Sequence, residues 1–176
     1  INKEEIEVNG KKITLETDRF FLIEIALSNI NNNYLSWFQD SVTRKEITAQ
    51  YSSNDLTKLR GYVEEKLLCK DCLFFGIFDK SSNEHVGNIK YDPINLINHS
   101  AVMGILVGNP LYRGIGLAGE VMHAMEELLK HYLDINKIIL GVSLENEIAI
   151  KAYQKHGFDL MLAGKTENST FMEKKI

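Results

Sequence analysis

The chain is short of basic character, of cysteine and of long apolar runs, and each shortage closes off a class of function. Its 176 residues carry 20 Lys and Arg against 24 Asp and Glu, a formal net charge of −4. Nucleic-acid surfaces announce themselves as basic stripes, so no nucleic-acid partner is expected. No apolar run approaches the roughly 18 residues that a membrane-spanning helix needs. The opening stretch "INKEEIEVNGKK" has no apolar core of the secretory kind. A cytoplasmic protein without membrane or nucleic-acid partners is the expectation.

Only two cysteines occur, Cys69 and Cys72, in "CKDC". One C-x-x-C supplies two ligands where a structural zinc site takes four, and a redox pair should open a helix rather than precede the strand-like "LFFGIF". Plain reduced thiols are expected. Five histidines are scattered without metal-ligand spacing, so no metal is expected.

What remains is ordinary globular material: hydrophobic residues make up 44% and charged residues 25%, enough to fill one core and too ordered a mix for disorder. One domain over residues 1–176 is expected. "FFLIEIAL" (20–27) reads as a buried strand, and "NNNYLSWFQD" (31–40) as a short helix behind an asparagine cluster. Asn54 or Asp55 caps a second helix, whose Leu56, Leu59, Val63 and Leu67 share one face. Strands at 73–78, 86–91 and 101–107 follow with connections too short for crossover helices, so they should pair antiparallel. "DPINLINH" reads as the loop between the last two.

Beyond residue 107 the texture changes. Leu117, Val121, Met125, Leu128 and Tyr132 step by helical intervals. "KIILGVSL" (137–144) is a strand. A helix over 147–156 follows, capped by Asn146 and stopped by Gly157, and "FDLMLAG" and "STFMEKK" close the chain as strands.

"GIGLAG" (114–119) is the sharpest local signal and reads two ways. Gly114, Gly116 and Gly119 have the spacing of a dinucleotide-binding fingerprint, with Glu145 available as a ribose-binding acid. That fold needs a parallel sheet with several β-α-β units, and too few residues follow for it. Parsed from Arg113, the same stretch is R-x-x-G-x-A, ending at Ala118. Either way the unpaired N–H groups of a helix N-terminus are the anion-binding device.

The second parse gains from its neighbours. "ILVGNPLYRGIGLAGEVMHAMEELL" followed by "VSLENEIAIKAYQKHGF" resembles the paired motifs of the GNAT superfamily of acetyl-CoA-dependent N-acetyltransferases. The second of these matches N-x-x-A-x-x-x-Y-x-K-x-G-F at Asn146, Ala149, Tyr153, Lys155, Gly157 and Phe158. "YLSWFQD" and "HVGNIKYDPINLINHSAVMGILVG" are similar to the branch holding ribosomal-protein N-terminal and amino-sugar acetyltransferases.

The resemblance implies one α+β domain with a mixed, mostly antiparallel, splayed sheet flanked by helices, and acetyl-CoA as co-substrate. Backbone amides of Arg113, Gly114, Ile115, Gly116, Leu117 and Ala118 would hold the pyrophosphate. The strand edge at Ile105, Leu106 and Val107 would meet the pantetheine, with backbone near Ile105 polarising the thioester carbonyl. Tyr153 would act as general acid toward the departing thiolate. Asn146 is a helix cap, a coenzyme ligand, or both.

The acceptor would be a small-molecule amine, such as a nucleotide-linked amino sugar, or a peptide or protein N-terminus, and a homodimer is left open. No general base can be named: Val102 and Met103 stand where related enzymes carry a glutamate, and His85, Asp92 and His99 have no specific claim. Tyr34 and Trp37 should pack a helix onto the sheet, with one of them lining the acceptor site. A non-catalytic acyl-CoA-binding module is the bland alternative.

Overall fold

The computed structural model describes residues 14–40, 43 and 55–176. Among these residues, eight strands form a single sheet in the order β1-β2-β3-β4-β5-β6-β8-β7. In chain order the strands and α-helices are β1 (Thr14–Glu16), β2 (Phe20–Glu24), α1 (Asn32–Trp37), α2 (Leu56–Leu68), β3 (Leu73–Asp79), β4 (His85–Asn95), β5 (Ser100–Val107), α3 (Leu117–Leu133), β6 (Lys137–Ser143), α4 (Glu147–Lys155), β7 (Asp159–Leu160) and β8 (Ser169–Lys175). Short 3-10 turns sit at Leu27–Asn29 and Pro110–Tyr112.

The expected antiparallel run β3-β4-β5 is present, continued outward by β2 and β1. β5 and β6 make the only parallel ladder among the described residues, and it is brief: Ser100, Ala101 and Val102 face Lys137, Ile138 and Ile139. A sheet with one short parallel ladder has no place for the doubly wound dinucleotide fold, which needs parallel strands throughout.

Several boundaries differ from the sequence expectation. The strand at 20–27 ends at Glu24, where Asn29 turns its Oδ1 back to the Ala26 N–H at 2.8 Å and starts a 3-10 turn. β4 runs on to Asn95 through Asp92 and Pro93, with a register shift between Tyr91 and Ile94. "DPINLINH" is thus half strand, carried across its proline by a bulge, the device that tolerates proline inside a sheet. "FDLMLAG" keeps only Asp159–Leu160 as strand. β1 carries no period-2 signal long enough to read. Asp55 caps α2 through the N–H groups of Thr57 and Lys58; Asn54 lies outside the described residues.

Two apolar clusters clothe the two sheet faces. The larger packs α3 (Leu117, Val121, Met125, Leu128) on alternate strand residues such as Phe75, Ile77, Ile89 and Ile138. The smaller joins α1 and α2 (Tyr34, Trp37, Leu59, Val63) to Phe74 on the opposite face. Each buried Leu- or Phe-sized side chain contributes roughly 1.5–3 kcal/mol, so neither layer leaves its face readily.

Candidate active site

Where β5 and β6 stop pairing, the sheet opens. Beyond Val102 and Ile139 the strands diverge, and a cavity of about 550 Å³ lies between and beside them. Met103, Gly104, Ile105 and Leu106 of β5 line it, as do Leu140, Gly141, Val142 and Ser143 of β6. Among the described residues, main-chain groups on the β6 side of residues 103–106 have no strand partner, so they are available to a ligand that completes the ladder. A methyl group built on Gly104 would meet no other atom within 4 Å, so the absence of a side chain there is part of the opening.

From β5 the chain passes through the 3-10 turn into the glycine loop. Gly114 and Gly116 have φ of +74° and +84°, the left-handed region that only glycine enters cheaply. Gly116 is the N-cap of α3, with no side chain to cap it. Among the described residues no backbone acceptor takes the N–H groups of Gly114, Ile115, Gly116, Leu117 or Ala118. Five consecutive donors at the positive end of a 17-residue helix make a cradle chemically suited to an anion. Gly119 serves packing instead. A Cβ there would fall within the ring of His156, so this glycine lets α3 approach the C-terminus of α4.

Arg113 takes part differently from the sequence expectation. Its N–H is bonded to the Pro110 carbonyl, so it is not one of the cradle donors. Its guanidinium is turned inward, with Nη1 2.9 Å from Asp40 Oδ2 and Nε 3.2 Å from the Val107 carbonyl. The backbone N–H of Thr43 holds the Asp40 carboxyl below the usual range, and Arg113 lowers it further. Arg113 is a bracket that fixes the loop to the segment after α1. Val107 accepts from that bracket and lies outside the lining of the cavity.

A second bracket has no motif to announce it in the sequence. Glu120, in the first turn of α3, accepts from the Arg19 N–H at 2.9 Å, Arg19 Nε at 2.8 Å and the Thr17 hydroxyl at 2.5 Å. Burial raises the Glu120 pKa, but these donors outweigh it and the carboxyl ends below its ordinary value. Arg19 Nη2 also donates to the Ile115 carbonyl at 3.0 Å. The acid beside the cradle is therefore neutralised locally.

Tyr153 and Asn146 reach the cavity from α4. Tyr153 is half-buried, its ring centroid 5.8 Å from that of Phe158. Asn146 caps α4, its Oδ1 accepting from the Ala149 N–H at 3.0 Å, while also lining the cavity. Met103, one of the two residues at the expected glutamate position, lines the wall, and no Asp or Glu among the described residues does. Of the other candidate bases, Asp92 is shared by Lys66 at 3.0 Å and Lys90 at 3.1 Å. The His99 ring bonds to the Asp134 carbonyl, away from the cavity. Tyr34 lines the cavity, whereas Trp37 lies over Gly108.

The cavity wall also holds two residues that belong to no motif, Asn88 and Lys90 of β4. "HVGNIKYD" carries the signal for them: Asn88, Lys90 and Asp92 alternate with the buried Ile89 and Tyr91, which puts the polar three on one face. Among the described residues, no group of His, Cys, Asp and Glu is placed to hold a metal ion. No helix among them is long and apolar enough to cross a membrane.

Known structures share this fold. The ribosomal L7/L12 alpha-N-protein acetyltransferase RimL, in complex with coenzyme A, superimposes with a TM-score of 0.79 over 93% of this chain and 98% of its own, at 16% identity. The microcin C7 self-immunity acetyltransferase MccE, in complex with acetyl-CoA and AMP, gives 0.74 over 90% and 93%, at 17% identity. In sequence, the L-amino acid N-acetyltransferase AaaT of Escherichia coli (strain K12) is 35% identical over 68 residues. That match spans 39% of this chain and 41% of the relative, less than half the length of either. The split sheet, the glycine cradle and these likenesses agree with the Acetyltransferase (GNAT) family model, which matches residues 35–158, and the chain belongs to that family.

Proposed function

We propose that this chain transfers the acetyl group of acetyl-CoA to a primary amine by direct attack. The observation that carries the reading is the split between β5 and β6, which opens onto Tyr153, with the glycine loop following β5 in the chain. Gly114 to Ala118 would hold the pyrophosphate through their N–H groups, and residues 103–106 would pair with the pantetheine amides. Asn146 would keep α4 in place while bordering the same space. The amine nitrogen bonds to the thioester carbonyl carbon as the carbon–sulfur bond breaks. Tyr153 gives its phenolic proton to the departing sulfur, and the amine proton leaves to solvent.

The lining supports a weakly basic amine as the acceptor. An amine resembling lysine, with pKa near 10.4, costs about 4.6 kcal/mol to deprotonate at pH 7, and no carboxylate among the described residues lines the cavity to assist. An α-amine with pKa near 8 costs only about 1.4 kcal/mol. This favours a peptide N-terminus or a small molecule with a similarly weakly basic amine.

The test is thiol release from acetyl-CoA with mass detection of the acetylated acceptor. Acetyl-CoA-dependent acetylation of an α-amine supports the reading. Coenzyme A binding with no transfer to any amine would replace it with a binding module.

A further inference from the structure

We infer that Asn88 and Lys90 form a recognition site for an anionic group, a carboxylate or a phosphate, on the molecule that carries the acceptor amine. This rests on the acetyltransferase reading above and names the substrate class of that same cavity. Asn88 is only 4% exposed, and its Oδ1 lies 2.8 Å from His85 Nε2. His85 is itself held by rings, stacked on Phe78 at 4.7 Å and met edge-on by Trp37 at 4.9 Å. Burial lowers the His85 pKa, and in the tautomer that carries its proton on Nε2 the ring donates to Asn88 Oδ1. The Asn88 carboxamide is thereby oriented, and its Nδ2 has no partner among the described residues.

A buried donor left unpaired costs about 1–3 kcal/mol. Here it belongs to a side chain that lines the cavity. The Nδ2 atom itself is almost wholly covered, so a ligand oxygen reaches it only with a small rotation of the carboxamide.

The charge beside it has the matching sign. Lys90, two residues along the strand, also lines the cavity, and its register partner is Gly104, which leaves the space in front of it open. Its Nζ lies 2.6 Å from the Tyr62 hydroxyl and 3.1 Å from Asp92 Oδ2. Asp92 also binds Lys66, so two ammonium groups share this one inner carboxylate. Glu65 touches Lys66 from the solvent side at 3.5 Å, is largely exposed, and does not reach the cavity. The cavity face of the cluster is therefore positive. Burial pulls the Lys66 pKa down, but Asp92 more than restores it, so the cation persists. No Asp or Glu among the described residues lines the cavity to receive a further cation. A polyamine would meet like charge here, whereas an acidic amine would meet a cation and an unpaired donor.

The experiment titrates coenzyme A into the full chain first, by calorimetry, and then compares matched acceptors in the acetyl-CoA assay. The pairs are glucosamine 6-phosphate against glucosamine and an L-amino acid against its amide, with spermidine as the cationic control. Preference of at least tenfold in kcat/KM for the acidic member of either pair supports the site, and the pair that shows it distinguishes phosphate from carboxylate. Asn88→Asp should abolish that preference by raising KM for the acidic member at least tenfold, with kcat moving less. Equal use of both members, or a preference for spermidine, overturns the inference while leaving the acetyltransferase reading intact. Failure of coenzyme A to bind overturns both. The matched pairs need no variant, so a poorly folding Asn88→Asp leaves the inference testable.

Discussion

Gly104 stands opposite Lys90 in the β4–β5 ladder, and the space where its side chain would be is empty to 4 Å. The cavity exists at this point because one strand omits a side chain just after the next strand has turned away. Gly104→Leu should fill that space without disturbing the core on the other face. The expected result is a melting temperature equal to or above that of the wild type, with kcat/KM for acetyl transfer reduced at least tenfold, about 1.4 kcal/mol of transition-state binding. Full activity in this variant would remove the cavity from the mechanism.

At the cradle, backbone conformation and ligand contact can be separated. Gly116→Val places a β-branched residue at φ +84°, which costs on the order of 1–2 kcal/mol of stability and redirects the N–H groups beside it. Coenzyme A binding by calorimetry should be lost. Gly114→Ala, at φ +74° but with open space around the added methyl, should lose stability while retaining measurable binding. Intact binding in Gly116→Val would refute the pyrophosphate assignment.

Tyr153→Phe removes one hydroxyl from a half-buried ring that packs near Phe158. Turnover should fall on the order of 10²-fold, within the range of general acid–base contributions, with the dissociation constant of coenzyme A within about threefold of wild type. Unchanged kcat would take the general-acid role from Tyr153.

His85 gives the site a pH signature. Its folded pKa lies below the ordinary 6.5, because burial disfavours the charged ring more than Asn88 favours it. Between the lowered folded pKa and 6.5 the unfolded chain binds more protons than the folded one, so stability rises with pH there and is complete above 6.5. Wild type should therefore lose urea resistance as pH drops from 7.5 to 5.5. His85→Gln should lose less over the same interval, and identical losses would contradict the buried neutral ring.

Much of this is legible in the residues. The stepping of Leu117, Val121, Met125 and Leu128 places α3, and all four are buried, whereas Tyr132, the last of the same series, is exposed in the final turn. Asn146, Asp55 and Gly157 mark helix ends where the structure has them. The split of β5 from β6 carries no local signal, since both strands remain apolar after they part, and only the family resemblance implies it. Arg113 is recognisable by its place in a motif, but its role is set by Asp40, which is remote in sequence and has no motif of its own. Asn88 and Lys90 are visible as a polar alternation, yet their meaning depends on Gly104 of the neighbouring strand. Local pattern fixes which face a residue takes; the chemistry of that face depends on what tertiary contacts leave open.

The most direct test is thermal stability of the chain with acetyl-CoA, coenzyme A and NAD titrated separately. A ligand bound only by the folded state stabilises it by about 2.7 kcal/mol at a hundredfold excess over its dissociation constant. Stabilisation by acetyl-CoA and coenzyme A, with none by NAD, is the expected result. Stabilisation by NAD alone would mean that the glycine loop holds a dinucleotide, and the acetyl-transfer mechanism would fall with the cradle assignment.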